Sequence, residues 1–229
     1  MAVHFQEMLE DDPSHYPLIM QQSSDDIFCI ETNGVSHMSI GIIGAGNIGA
    51  AFARILARNG IHATIANSRG PESLRELTSE LSPWISAGTV EQAANADMVL
   101  VAVTWPQLPQ ALGTLPDWNG RIVLDANNSV GDLSGRFSSE VFEGLVPGAR
   151  VVKAFNHLFA KLLASDPASE GGKRVLFYSG DDAAAKAEVA ALIEKLGFFG
   201  IDLGTLAVGA RLAQFPGGVL PALNLVKFG

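Results

Sequence analysis

The sequence predicts an α/β chain built on a doubly wound, mostly parallel sheet, and three observations predict it. Short apolar runs rich in β-branched residues alternate with helical patterns along the 229 residues. One run, Met98-Val99-Leu100-Val101-Ala102-Val103, is apolar without alternation, as a strand buried on both faces requires. The first run leads directly into Gly44-Ala45-Gly46-Asn47-Ile48-Gly49, the glycine spacing of a tight strand-to-helix turn.

That first unit is read residue by residue. Ser39-Ile40-Gly41-Ile42-Ile43 is too short for a helix and makes a buried parallel strand. Gly44 permits the turn, Gly46 lets a pyrophosphate approach the backbone, and Gly49 lets the helix lie close to the strand. Ile48, Ala51, Phe52, Ile55 and Leu56 then fall on one helical face, and Asn59-Gly60 supplies a stop. Free N–H groups at the start of such a helix bind phosphate oxygens. Strand, glycine turn and helix in this order predict a Rossmann-type dinucleotide domain, with Gly44, Ala45, Gly46, Asn47 and Ile48 at the cofactor.

The second strand, Ala63-Thr64-Ile65-Ala66, ends where an NAD enzyme carries an acid for the ribose 2′-hydroxyl, and no acid stands there. Asn67, Ser68 and Arg69 occupy the position instead. A guanidinium grips a phosphate through two charge-assisted hydrogen bonds, and a serine hydroxyl adds a third donor. The expected cofactor is therefore NADP(H).

Further elements follow in order. A helix is expected through Leu74-Arg75-Glu76-Leu77, a short edge segment near Gly88-Thr89-Val90, and a helix around Glu91-Ala94. The central strand ends at Thr104-Trp105-Pro106, and ligands of such sheets bind at the carboxyl ends of strands, so these three residues are placed at the cofactor. Trp105 either covers a nicotinamide or ribose or fills the core. The next strand ends in Asn127-Asn128, and the one after in Asn156-His157; Asn128 and Asn156 join the cofactor-binding set. From about residue 150 a small C-terminal α/β lobe is expected. It contains a strand at 174–179, a helix at 183–196 capped by Asp181-Asp182, a strand at 198–203, and a helical tail from Leu206 to Phe228 broken at Pro216-Gly217-Gly218 and Pro221. Helix capping accounts for the aspartate pair, so no metal site is assigned.

Composition narrows the function classes. Of the net charge of −9, a −7 share lies within residues 1–37, which hold Glu7, Glu10, Asp11, Asp12, Asp25, Asp26 and Glu31 and no Lys or Arg. The nearly neutral remainder has no basic stripe, against nucleic-acid binding. No 18-residue apolar run is present, so no membrane span is expected. The single cysteine, Cys29, excludes an internal disulfide and fits a cytoplasmic location. Residues 1–37 show no periodicity and are expected to be a disordered acidic leader or a mis-assigned start upstream of Met38, with the NADP-binding domain at 38–229. The apolar C-terminal residues Leu212, Phe215, Val219, Leu220, Leu223, Leu225 and Val226 predict a homodimer.

Gly-Ala-Gly-Asn-Ile-Gly at 44–49, Asn-Ser-Arg at 67–69, Val-Lys-Ala-Phe-Asn at 152–156, Ser-Gly-Asp-Asp at 179–182 and Gly-Ala-Arg-Leu at 209–212 together resemble one family. It is that of the NADPH-dependent reductases of the 8-hydroxy-5-deazaflavin coenzyme, factor 420. The same pattern is similar to the cytoplasmic oxidoreductase domain of the six-transmembrane epithelial antigen metalloreductases, which uses a flavin. The resemblance spans residues 38–229 and implies a cleft in which a nicotinamide faces a deazaflavin or flavin for direct hydride transfer. Such a transfer relies on stacking and orientation more than on a general acid or base, and no catalytic residue is assigned. His157 and Asn156 are the cleft candidates, and His157 either donates a proton or lines the cleft. His157 replaces a small hydroxyl residue, and Phe159 stands where the family often has proline.

Two other readings stay open. One is an NADPH-dependent reductase of a small carbonyl or imine, of the pyrroline-carboxylate reductase type, which usually adds a long helical domain where this chain has only a short stretch. The other is a non-enzymatic NADPH-binding sensor.

Overall fold

A computed structural model describes residues 38–129, 133 and 135–229. The expectation for residues 1–37, and with it Cys29, lies outside the described residues.

The chain alternates strand and helix as far as the eighth strand: β1 (Ile40–Ile43), α1 (Asn47–Arg58), β2 (Ala63–Ala66), a 3₁₀ turn (Pro71–Leu74) into α2 (Arg75–Glu80), β3 (Ile85–Ala87), α3 (Val90–Ala94), β4 (Met98–Val101), α4 (Leu108–Leu112) and β5 (Ile122–Asp125). Then come α5 (Ser138–Glu143), β6 (Arg150–Ala154), α6 (Ala160–Ala164), β7 (Lys173–Gly180), α7 (Ala183–Lys195) and β8 (Phe199–Asp202). A π-helical turn (Leu206–Ala210) runs into α8 (Arg211–Ala213), and β9 (Val226–Lys227) ends the series.

The strands form one sheet in the order β3-β2-β1-β4-β5-β6-β7-β8, with β9 added to β7. The first six are mutually parallel, β7 runs antiparallel to β6, and β8 returns parallel to β7. Strand order reverses between β1 and β4, and ligands of open α/β sheets bind in the crevice outside the carboxyl ends at such a point. The fold is a Rossmann-type α/β sheet, and residues beyond about 150 extend it by β7, β8 and β9.

Alternation along each strand feeds two cores. Ile42, Leu100, Leu124, Val152 and Leu176 meet Phe52, Ile55, Val189 and Ile193 on one side. Ile43, Val99, Val101, Val123 and Val151 meet Leu108, Trp118, Phe142 and Leu206 on the other. This two-sided burial is why the strands read as unbroken apolar runs.

Two elements differ from expectation. The edge strand is Ile85–Ala87, not Gly88-Thr89-Val90. Thr89 caps α3: its hydroxyl accepts from the Gln92 N–H while the Gln92 side chain accepts from the Thr89 N–H, a reciprocal capping box. The C-terminal tail is not a broken helix to Phe228. Helix stops at Ala213, the following residues are irregular, and Val226–Lys227 pairs with β7. Gly218 packs against the carbonyls of Leu212 and Gln214, and Pro216 and Pro221 deny the amides a longer helix needs.

Candidate functional site

The glycine turn has the geometry its sequence demands. Gly44 has φ +107°, and a Cβ there would lie 2.3 Å from the carbonyl oxygen of Ala102. A Cβ on Gly49 would lie 1.8 Å from the Gly44 carbonyl oxygen, so α1 crosses β1 too closely for any side chain. Gly46 is different, with nothing within 4 Å of its missing Cβ. It caps α1 without a side-chain hydrogen bond, leaving the N–H groups of the first turn open toward that space.

A cavity of about 460 Å³ opens beside this turn. Gly44, Ala45, Gly46, Asn67, Ser68, Arg69 and Thr104, all expected from the sequence, line it. Asn67 organises its far end: its Oδ1 accepts from the Arg69 N–H at 2.8 Å, and its Nδ2 donates to Ser73 Oγ at 2.9 Å. This turn leaves Ser68 and Arg69 exposed on the cavity wall. Arg69 and Glu91 are the charged linings among the described residues. Glu91 is held below the usual carboxylate range by its own backbone N–H and by the Thr89 hydroxyl.

Gln107, Gln110 and Thr114, together with Val90, Ala111 and Val103, complete the wall and were not legible as site residues in the sequence. Val90 starts α3, whereas the others follow β4 on α4 and its flanks, where the one signal is the turn residue Thr104, whose hydroxyl donates to Gln107 Oε1 at 2.8 Å. Asn47 faces a second groove of about 320 Å³ between α1 and α6, which Ala45, Gly46, Ala160, Lys161 and Ala164 also line. Ile48 is partly buried against the core. Trp105 is half-buried against the second core, and neither it nor the exposed Pro106 lines the main cavity.

Asn128 and Asn156 form a separate unit at the carboxyl ends of β5 and β6. Asn156 Nδ2 donates to Asn128 Oδ1 at 3.0 Å and to the Ala213 carbonyl at 2.7 Å, while Asn128 Nδ2 donates to the Asn156 carbonyl at 2.9 Å. Asn128 Oδ1 also accepts from the Phe215 N–H. The pair thus ties the C-terminal segment to the sheet edge and does not line the 460 Å³ cavity.

His157 is 3% exposed, with its ring 4.9 Å from that of Phe177. Neither ring nitrogen has a hydrogen-bond partner among the described residues. Burial pushes its pKa down to about 4. It therefore stands as a neutral, sealed imidazole beneath the edge, and the expectation of a cleft-lining or proton-donating histidine is corrected. Phe159, two residues on, is 65% exposed at the start of α6.

Sheet order and glycine turn define a Rossmann-type dinucleotide-fold domain. Residues 39–129 match the family model described as NADP oxidoreductase, coenzyme F420-dependent. A hypothetical protein from Sinorhizobium meliloti is 45% identical with a TM-score of 0.81, over 84% of this chain and 97% of that one. A candidate F420-dependent NADP reductase from Arthrobacter sp. FB24 is 28% identical with a TM-score of 0.65, over 83% of this chain and all of that one. The rat metalloreductase STEAP3 is 28% identical over 211 residues, which are 90% of this chain and 42% of that protein, so the chain spans less than half the length of this relative. Through residues 39–129 the chain is similar to the coenzyme F420-dependent NADP oxidoreductases. Among described residues no helix is long and apolar enough to cross a membrane.

Proposed function

We propose that this protein moves a hydride between NADP(H) and a deazaflavin or flavin ring held at the carboxyl edge of the sheet. The observation that carries the nucleotide half is the position of Arg69 and Ser68. They stand on the wall of the cavity that begins at the Gly44–Gly46 turn, at the end of a strand that carries no acid. The open space over Gly46 and the free first turn of α1 fit a pyrophosphate, and Arg69 with Ser68 fits a 2′-phosphate.

When bound, NADPH supplies the hydride. The protein's residues bind and orient. Ionisable groups near the ends of β5 and β6 are sealed from the crevice, since Asp125, Lys153 and His157 are all at most 3% exposed. That supports an acceptor whose ring takes the hydride without a proton relay from the protein, and weighs against a carbonyl or imine substrate that needs one. Turnover of such an acceptor is what would distinguish this reading from a nucleotide sensor.

The experiment is NADPH oxidation measured in parallel against a deazaflavin, FMN, FAD, ferric chelates and small carbonyls and imines. Turnover with the tricyclic rings is expected. Turnover confined to carbonyls or imines, or tight NADPH binding with no turnover at all, overturns the proposal.

A homodimer in the cytoplasm accompanies this reading. Phe215, Val219 and Phe228 are 59%, 72% and 61% exposed, and Leu212, Leu223 and Leu225 join them in one C-terminal stretch, a concentration that a partner copy would cover. Light scattering across micromolar concentrations tests it, with a monomeric mass throughout as the contrary result.

A further inference from the structure

The neighbouring strands β5 and β6 bury an ion pair between them. Asp125 and Lys153 are register partners on β5 and β6, 0% and 1% exposed, with Lys153 Nζ 2.9 Å from Asp125 Oδ2. They continue the face that carries Val123 and Val151, so valine-like residues would suit the packing. Removing two ions from water costs several kcal/mol per ion, and a buried pair often stabilises no better than an apolar replacement. The explanation for such a pair lies in what it holds.

It holds Asn127. Lys153 Nζ donates to the Asn127 carbonyl, and Asp125 Oδ1 accepts from both the main-chain N–H and the Nδ2 of Asn127, each at 3.0 Å. Ser139 Oγ, from α5, donates to Asp125 Oδ2 at 3.2 Å and fixes the carboxylate from behind. Asn127 in turn grips the strand next door. Its Nδ2 donates to the Val101 carbonyl at 3.1 Å, and its Oδ1 accepts from the Val103 N–H at 3.2 Å. Strand pairing between β4 and β5 stops at Asp125, so the side chain of Asn127 takes over where the ladder ends.

Val103 lines the 460 Å³ cavity, and its Cγ1 lies 3.0 Å from where a Gly44 Cβ would stand. Its placement therefore sets the wall against which the glycine turn rests. We infer that Asp125 and Lys153, acting through Asn127, are positioning residues that fix the Val103 wall of the nucleotide cavity. The inference rests on reading that cavity as the NADP(H) site.

The test measures NADPH affinity, melting temperature and hydrogen exchange of the Val103 amide on the full chain. Lys153→Met leaves Asp125 buried without its partner and should lower the melting temperature. The double variant Asp125→Asn/Lys153→Met removes both charges and should recover most of that stability. Asn127→Ala cuts the far end of the clamp while leaving the ion pair in place. All three should weaken NADPH by about tenfold or more when assayed well below their melting temperatures, equivalent to about 1.4 kcal/mol, and should speed Val103 exchange. Recovery of wild-type affinity along with stability in the double variant, or unchanged affinity and Val103 protection in Asn127→Ala, would show a purely structural pair and overturn the inference. A wild-type chain that binds no NADPH overturns the nucleotide reading instead, and Val103 exchange in Asn127→Ala then decides the positioning role alone.

Discussion

Gly49 lies directly beneath the carbonyl oxygen of Gly44, so close that a Cβ at position 49 would sit 1.8 Å from it. Both atoms of this contact are fixed by the backbone, and no side-chain rotation can relieve it. Gly46, three residues earlier on the same turn, has a φ of −76° and open space where a Cβ would go. Two glycines of one motif thus serve separate purposes, one packing and one access.

That difference predicts opposite outcomes. Gly49→Ala should destabilise by about 1–3 kcal/mol or more, the range for overpacking a close contact, and be seen as a lower denaturant midpoint. Gly46→Val should leave the midpoint nearly unchanged while weakening NADPH and NADH alike, because its side chain fills the phosphate space. A normal nucleotide affinity in Gly46→Val would remove the pyrophosphate from that turn.

Arg69 separates the two nucleotides. If its guanidinium pairs the 2′-phosphate, Arg69→Ala should lose about 1.5–3 kcal/mol of NADPH binding, the usual worth of a hydrogen bond to a charged group. That is roughly tenfold to 150-fold weaker binding by titration. NADH, lacking the phosphate, should be nearly unaffected, and Ser68→Ala should act in the same direction but less. Equal losses for both nucleotides would contradict the assignment.

His157 predicts an acid-sensitive core. In the unfolded chain it titrates near 6.5, and in the native protein at about 4. Above pH 6.5 neither state binds the proton, and the residue adds no pH dependence. As pH falls from 6.5 to about 4 the unfolded chain takes up a proton that the native state refuses, so stability declines by up to about 3 kcal/mol. Denaturant titrations across pH 4–7 should show this slope, and His157→Leu should flatten it. The same slope in the variant would assign the acid sensitivity elsewhere.

Asn156 predicts a local effect. Its amide ties Ala213 to Asn128, which holds Phe215, and the neighbouring His157 carbonyl accepts from the Ala222 N–H at 2.7 Å. Asn156→Ala should therefore speed hydrogen exchange at Phe215 and Ala222 while leaving the amides of β1 and β4 protected. Uniform acceleration across the sheet would instead mean global destabilisation.

Much of this protein was determined by sequence alone. The alternation of buried strands and helices, the glycine turn and the replacement of an acid by Asn67-Ser68-Arg69 are local patterns, each set by the sterics or charge of a few consecutive residues. The β3 boundary was misplaced because the capping box of Thr89 and Gln92 resembles a β-branched edge when read without its hydrogen bonds. The tail beyond Ala213 was misread because its apolar residues suggest a helical face, whereas its carbonyls and amides find partners in Asn128, His157 and β7. Only the tertiary structure could decide whether a polar residue at a strand end faces the crevice or is sealed beneath it. His157, Asp125 and Lys153 all stand near the carboxyl edge in sequence, and each is buried, because the segments that cover them come from elsewhere in the chain. Burial and long-range hydrogen bonding are sums over distant residues, and no local pattern carries them.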